Sequence, residues 1–118
     1  MALLFEKLKD RLLEQLVRLN SHFEENFFQA LCLEIRIILA KVFFKEIEAW
    51  LLEQAKNNLP VAYGVLAKLY LEIKDFENAK EFSLKANEHF PHLAVWQDII
   101  NEATWDQFEE ENSSASTD

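Results

Sequence analysis

At 118 residues the chain can bury one core but not two. Half of it is hydrophobic, with ten Phe and three Trp against one Gly and two Pro, and so few helix breakers point to an all-α fold. The net charge of −9 is uneven: residues 1–58 hold eight Lys/Arg against nine Asp/Glu, and residues 59–118 four against twelve, which argues against a nucleic-acid partner and leaves solubility or the steering of a basic partner.

Residues 2–19 carry Leu4, Leu8, Leu12, Leu16 and Leu19 at steps of three and four, the mark of an amphipathic helix whose other side shows Glu6, Lys7, Asp10, Arg11, Glu14 and Arg18. Asn20 and Ser21 punctuate, and Ser21 followed by Glu24 has the spacing of a capping box. Residues 22–57 then run without Gly or Pro, either as one central helix or as two with a bend near Asn26 or Ala40. Two apolar stripes cover this segment, one of Phe28, Leu31, Ile35, Ile38 and Val42, the other of Leu33, Ile37, Ala40, Phe44, Ile47 and Leu51. Between them only Glu34, Lys41, Lys45 and Glu48 make a wet strip, so the expectation is a core helix between layers. The lone Cys32 excludes an internal disulfide and reads as a buried, inert thiol.

Asn57, Asn58 and Pro60 end that segment. Beyond them the chain is ordered as Tyr63-x-x-Leu66-Ala67-x-x-Tyr70, Lys74-Asp75-Phe76, Ala79, Ala86 and Pro91. These spacings resemble one tetratricopeptide repeat, a helix–turn–helix unit, over about 60–93. Ala79 and Ala86 would let two helices approach closely, Asp75 would cap the second, and Pro91 would end it. Lys74 stands where Gly is usual, and Ser83 where a large aromatic is usual, with Phe82 beside it. No second repeat lies upstream, since Gln29, Cys32, Arg36 and Lys45 occupy the key positions. A final helix over 93–110 is marked by Val95, Trp96, Ile99, Ile100, Trp105 and Phe108, and residues 111–118 read as a disordered tail. The expected architecture is therefore an all-α bundle, a single domain over 1–110, with one helical hairpin (60–91) and flanking capping helices.

Chemistry-bearing patterns are sparse. His89 and His92 are three apart, but Pro91 lies between them and a zinc site needs three or four placed ligands, so a solvated pair is expected. The carboxylate pairs Glu24/Glu25, Glu46/Glu48 and Glu109–Glu111 read as wet faces, and Gly64, the only glycine, leaves no phosphate loop. Asn112-Ser113-Ser114 fits the glycosylation pattern by chance. No catalytic, cofactor-binding or metal-binding residue is assigned, and no enzyme is expected. No secretory signal and no run of ~20 apolar residues stands out, so a soluble cytoplasmic protein without a membrane span is expected.

The order Ala49-Trp50-Leu51, Lys74-Asp75-Phe76, Ala79 and Pro91-His92-Leu93-Ala94-Val95-Trp96 resembles the small tetratricopeptide-like chaperones of bacterial type III secretion needle subunits. The resemblance covers about 47–100, and the Leu-striped helix 2–19 departs from it. It implies a non-catalytic chaperone that holds the subunit's amphipathic helix in a hydrophobic groove, together with a small co-chaperone. By position, Tyr63, Leu66, Tyr70 and Trp96 are the expected partner-binding residues. The alternative is a structural adaptor or homo-oligomeric subunit, such as a homodimer joined through 2–19.

Overall fold

A computed structural model describes residues 2–40 and 42–115, with side chains described over 5–112 apart from residue 41. The side chains of Leu4, Lys41, Ser113 and Ser114, and residues 116–118, lie outside the described residues. Six helices are arranged in order: α1 (Ala2–Ser21), α2 (Glu25–Ile38), α3 (Phe44–Lys56), α4 (Val61–Glu72), α5 (Phe76–His89) and α6 (Ala94–Ala115). The described residues hold no strand, and none of their helices is long and apolar enough to cross a membrane.

The centre of the bundle is α4. Nine of its twelve residues are buried, including Val61, Gly64, Val65, Leu66, Leu69 and Tyr70. A helix that is apolar on every side has no stable position at a surface. It is accordingly wrapped by α1, α2, α3, α5 and α6. This corrects the expectation that 22–57 would be the core helix between layers.

That segment is two helices, parted over 39–43. No Gly or Pro makes the break. Val42 is buried, and Phe43 adopts an extended conformation (φ −63°, ψ 136°) at the N-cap of α3. Val and Phe are weaker helix formers than Leu or Ala, so the gain from burying Val42 on the core offsets a short interruption. The restart also resets the helical phase, which splits the second apolar stripe. Ile47 and Leu51 turn inward on α3, whereas Leu33 and Ile37 face outward on α2.

The capping box does not form. Helix α1 continues through Ser21, whose hydroxyl donates to the Val17 carbonyl at 3.0 Å, and Glu24 makes no side-chain cap bond. The neighbouring Asn20 has a long-range role instead. Pro60 occupies the N-cap of α4 and has no side-chain acceptor, so the Val61 N–H donates to Asn20 Oδ1 at 3.1 Å, across 41 residues of sequence. One of the four orphan donors of α4 is thus satisfied by α1.

The α4–α5 hairpin obeys the local chemistry of its turn. The Asp75 N–H donates to the Tyr70 carbonyl at 2.8 Å and the Lys74 N–H to that of Leu71 at 3.1 Å, a Schellman closure with Lys74 in the left-handed region at φ 64°. Asp75 then accepts from the Asn78 N–H and so caps α5, as expected. Ala79 and Ala86 are fully buried. Between them the buried Ser83 donates its hydroxyl to the Ala79 carbonyl at 2.8 Å, while Phe82 supplies the aromatic bulk, 5.8 Å from the Tyr63 ring and 5.3 Å from that of Tyr70.

On its other side α4 meets α2 and α6 through its glycine. A Cβ on Gly64 would lie 2.4 Å from the Trp96 ring, with Phe28 next at 3.5 Å. The indole is held there by its N–H, which donates to the Phe90 carbonyl at 3.0 Å, and by the Phe23 and Phe28 rings, each 5.4 Å away. Helix α6 continues to Ala115, so residues 111–115, expected to belong to a disordered tail, are helical.

These contacts can be tested by denaturation. Gly64→Ala gains up to ~1 kcal/mol of helix propensity but overpacks a pinned ring at a cost of about 1–3 kcal/mol, so urea denaturation should show a net loss. Adding Trp96→Phe, which removes the two ring atoms nearest that Cβ, should return part of this loss as a favourable coupling energy. Asn20→Ala should lower stability by about 1 kcal/mol, and Asn20→Asp, which keeps the acceptor at a helix N-terminus, should not.

Candidate functional site

The four residues expected to line a groove do not form one. Leu66, Tyr70 and Trp96 are buried in the chain's own core. Tyr63 is half-buried, stacked on the His89 ring at 6.1 Å, with the Lys85 ammonium 5.5 Å from its centroid. Tyr63 and Tyr70 both flank Phe82 on the α5 side of α4, whereas Trp96 lies on the Gly64 side, so the set is split between two packing surfaces. The physical reason is that unlike neighbours have closed the hairpin's flanks. Helix α1 packs on α2 and α4 with Phe5, Leu12, Leu16 and Leu19 buried, and Phe5 meets Trp50 of α3 edge-on at 5.9 Å. The Leu stripe expected to join two copies is therefore spent inside one chain.

The open apolar surface lies elsewhere. On the outer face of α2, Leu33 is 55 % exposed and Ile37 63 %, with the exposed Ala30 and Ala40 continuing the line at helical spacing. Glu34 borders the stripe on one side, accepting from Gln15 Nε2 at 3.1 Å and pairing with Arg11 at 3.1 Å, which fixes the α1 edge. On the other side a cleft of about 150 Å3 separates α2 from α4, lined by Gln29, Cys32, Leu33, Arg36, Lys68 and Glu72 with Leu69 at its base. That is below the ~300 Å3 at which small-molecule sites begin, and suits a single inserted side chain.

Arg36 pairs with Glu72 at 3.5 Å, bringing the last turn of α4 alongside the end of α2, so the half-exposed Ile73 lies at the same end as Ile37. The exposed Phe43 follows in the segment between α2 and α3. An exposed apolar line of Leu33 and Ile37 bordered by ion pairs has the anatomy of a protein-binding patch. Leu33 and Ile37 read as core in the sequence because a second stripe on a long helix implies a second layer. The signal that could have separated them is the Val42-Phe43-Phe44 run, the weakest helix-forming stretch in the segment.

Two titratable groups in these interfaces are shifted. Burial pushes the Cys32 thiol up to about 12; the Lys68 ammonium pulls it back and Glu72 adds to it. Burial also raises Tyr70, whose hydroxyl donates to Glu48 Oε2, and the carboxylates of Glu48, Asp75 and Glu81 push the same way. Both groups are thereby held neutral and unreactive. Among the described residues no three His, Cys, Asp or Glu side chains converge as metal ligands, and His89 lies against Tyr63 rather than towards His92. Comparison with family models, with curated proteins and with solved structures finds no match.

The raised thiol has a measurable consequence. Its folded-state value lies above the ~8.5 of a free cysteine, so its stabilising contribution is complete below that pH and is lost as pH rises towards the folded value. The urea midpoint should fall above about pH 8.5, with a slope of up to ~1.4 kcal/mol per pH unit from this group, and Cys32→Ala should flatten that limb. At pH 8 a disulfide reagent should leave the native thiol unmodified and label it promptly in denaturant.

Proposed function

We propose that the protein is a non-catalytic cytoplasmic chaperone that shelters the amphipathic helix of a partner, as the type III secretion needle-subunit chaperones it resembles do. The observation that supports this is the line of Leu33 and Ile37 on α2, more than half exposed beside a side-chain-sized cleft. A partner helix with apolar residues at i, i+3, i+4 and i+7 would lie along that line and place one side chain in the cleft. At ~25 cal/mol per Å2 the covered apolar area offers a useful gross gain, from which the loss of motional freedom is subtracted. A subunit that otherwise assembles through that helix would remain unassembled while bound. The proposed surface is the outer face of α2, because the Tyr63, Leu66, Tyr70 and Trp96 positions are filled by the protein itself.

The test is co-expression with a needle subunit from the same organism. The expected result is a stoichiometric complex by light scattering, in which the subunit does not polymerise. Leu33→Glu with Ile37→Glu should weaken capture at least tenfold while leaving helix content and the urea midpoint unchanged, since both side chains already face water. Polymerisation at the same rate with and without the protein would overturn the reading.

A further inference from the structure

The distal half of α6 is a second surface with a different chemistry. Among the described side chains of α6 the last buried one is Ala103, and over 104–112 none is buried. Trp105 and Phe108 are 59 % and 54 % exposed, and their rings stack at 5.9 Å with 29° between planes. With Asn101 and Thr104 they line an open hollow of about 350 Å3. Two large aromatics held together in water are an uncommon arrangement for a helix face with no partner.

Charge decides what could cover them. Residues 94–115 include Asp98, Glu102, Asp106, Glu109, Glu110 and Glu111 and no Lys, Arg or His. Asp98, Glu102 and Glu109 fall at steps of four and seven on the flank next to Trp105, and Glu111 lies one turn beyond Phe108. Lys80 donates to Gln107 at 2.9 Å, and Lys74 lines two clefts that Asp106, Glu109, Glu110 and Glu111 also border, without a salt bridge to any of them. No salt bridge among the described residues reaches α6. The free helix therefore carries an electrostatic cost that a cation alongside it would relieve.

We infer that the Trp105–Phe108 face of α6 docks a cationic amphipathic helix of a partner protein, with the aromatic pair taking its apolar stripe and Asp98, Glu102, Glu109 and Glu111 taking its Lys and Arg side chains. A second copy of the chain is disfavoured, because two α6 helices would set carboxylate rows against each other. This surface is separate from the α2 face and does not rest on it.

The test uses two synthetic helical peptides with the same Leu stripe, one flanked by Lys and Arg and the other by Glu, with binding read by fluorescence anisotropy. The cationic peptide should bind, and binding should weaken at least tenfold between roughly 0.05 and 0.5 M salt as the charges are screened. Trp105→Ala with Phe108→Ala, and separately Glu102→Gln with Glu109→Gln, should each lower its affinity about tenfold without changing helix content over 1–103. The Leu33→Glu, Ile37→Glu variant should bind the cationic peptide as well as the parent protein, which separates failure of this site from failure of the α2 surface. Equal binding of both peptides, binding of neither, or unchanged affinity in the aromatic variant would overturn the inference. So would concentration-dependent dimerisation abolished by Trp105→Ala with Phe108→Ala.

Discussion

The close approach of Trp96 to Gly64 is the contact on which the arrangement of this bundle depends. Only a residue without a Cβ lets the indole approach the backbone of α4 this closely, since the added atom would come within 2.4 Å of the ring. The ring in turn touches Phe23 and Phe28, and its N–H ties it to the chain between α5 and α6. Helices from both ends of the sequence thus converge on one point of the central helix. A larger residue there would push α6 off α4 and open the flank that α2 closes.

With that flank closed, and with the Leu side of α1 laid on α2 and α4, the interior hollow expected of a helical hairpin is filled from within. The apolar residues that remain available to a partner are displaced to the outside. Among the described residues two groups of different character stand out, apart from single exposures such as Val17 and Leu84. The α2 group is aliphatic, bounded by ion pairs, and joined to a small cleft. The α6 group is aromatic and bounded by carboxylates that make no salt bridge among the described residues. Neither includes a titratable group held in a reactive state, for Cys32 and Tyr70 are both pressed towards their neutral forms.

Much of the local structure could be read from the chain. The hairpin at 60–91, its Asp75 cap, its closely packed alanines and the turn at Lys74 each depend on residues within a few positions of one another, and each is present. Lys74 adopts the left-handed conformation that the turn requires in spite of its side chain, because two backbone hydrogen bonds close around it. The candidate partner-binding residues were less legible. Tyr63, Leu66, Tyr70 and Trp96 have the composition of a groove and of a core equally, and aromatic content does not distinguish the two. Leu33 and Ile37 gave the opposite error, since an apolar residue on a long helix reads as buried until the helix is known to break.

The all-helical class, the hairpin and most of the helix ends were determined by the sequence itself, through propensity, periodicity and short-range hydrogen bonds. Tertiary structure alone decided which apolar stripe turns inward, that α2 and α3 part over 39–43, that Asn20 caps a helix 41 residues away, and that Trp96 rests on the single glycine. The reason is one of range. Those outcomes are set by competition among distant surfaces for burial on α4, and no window of neighbouring residues contains the competitors.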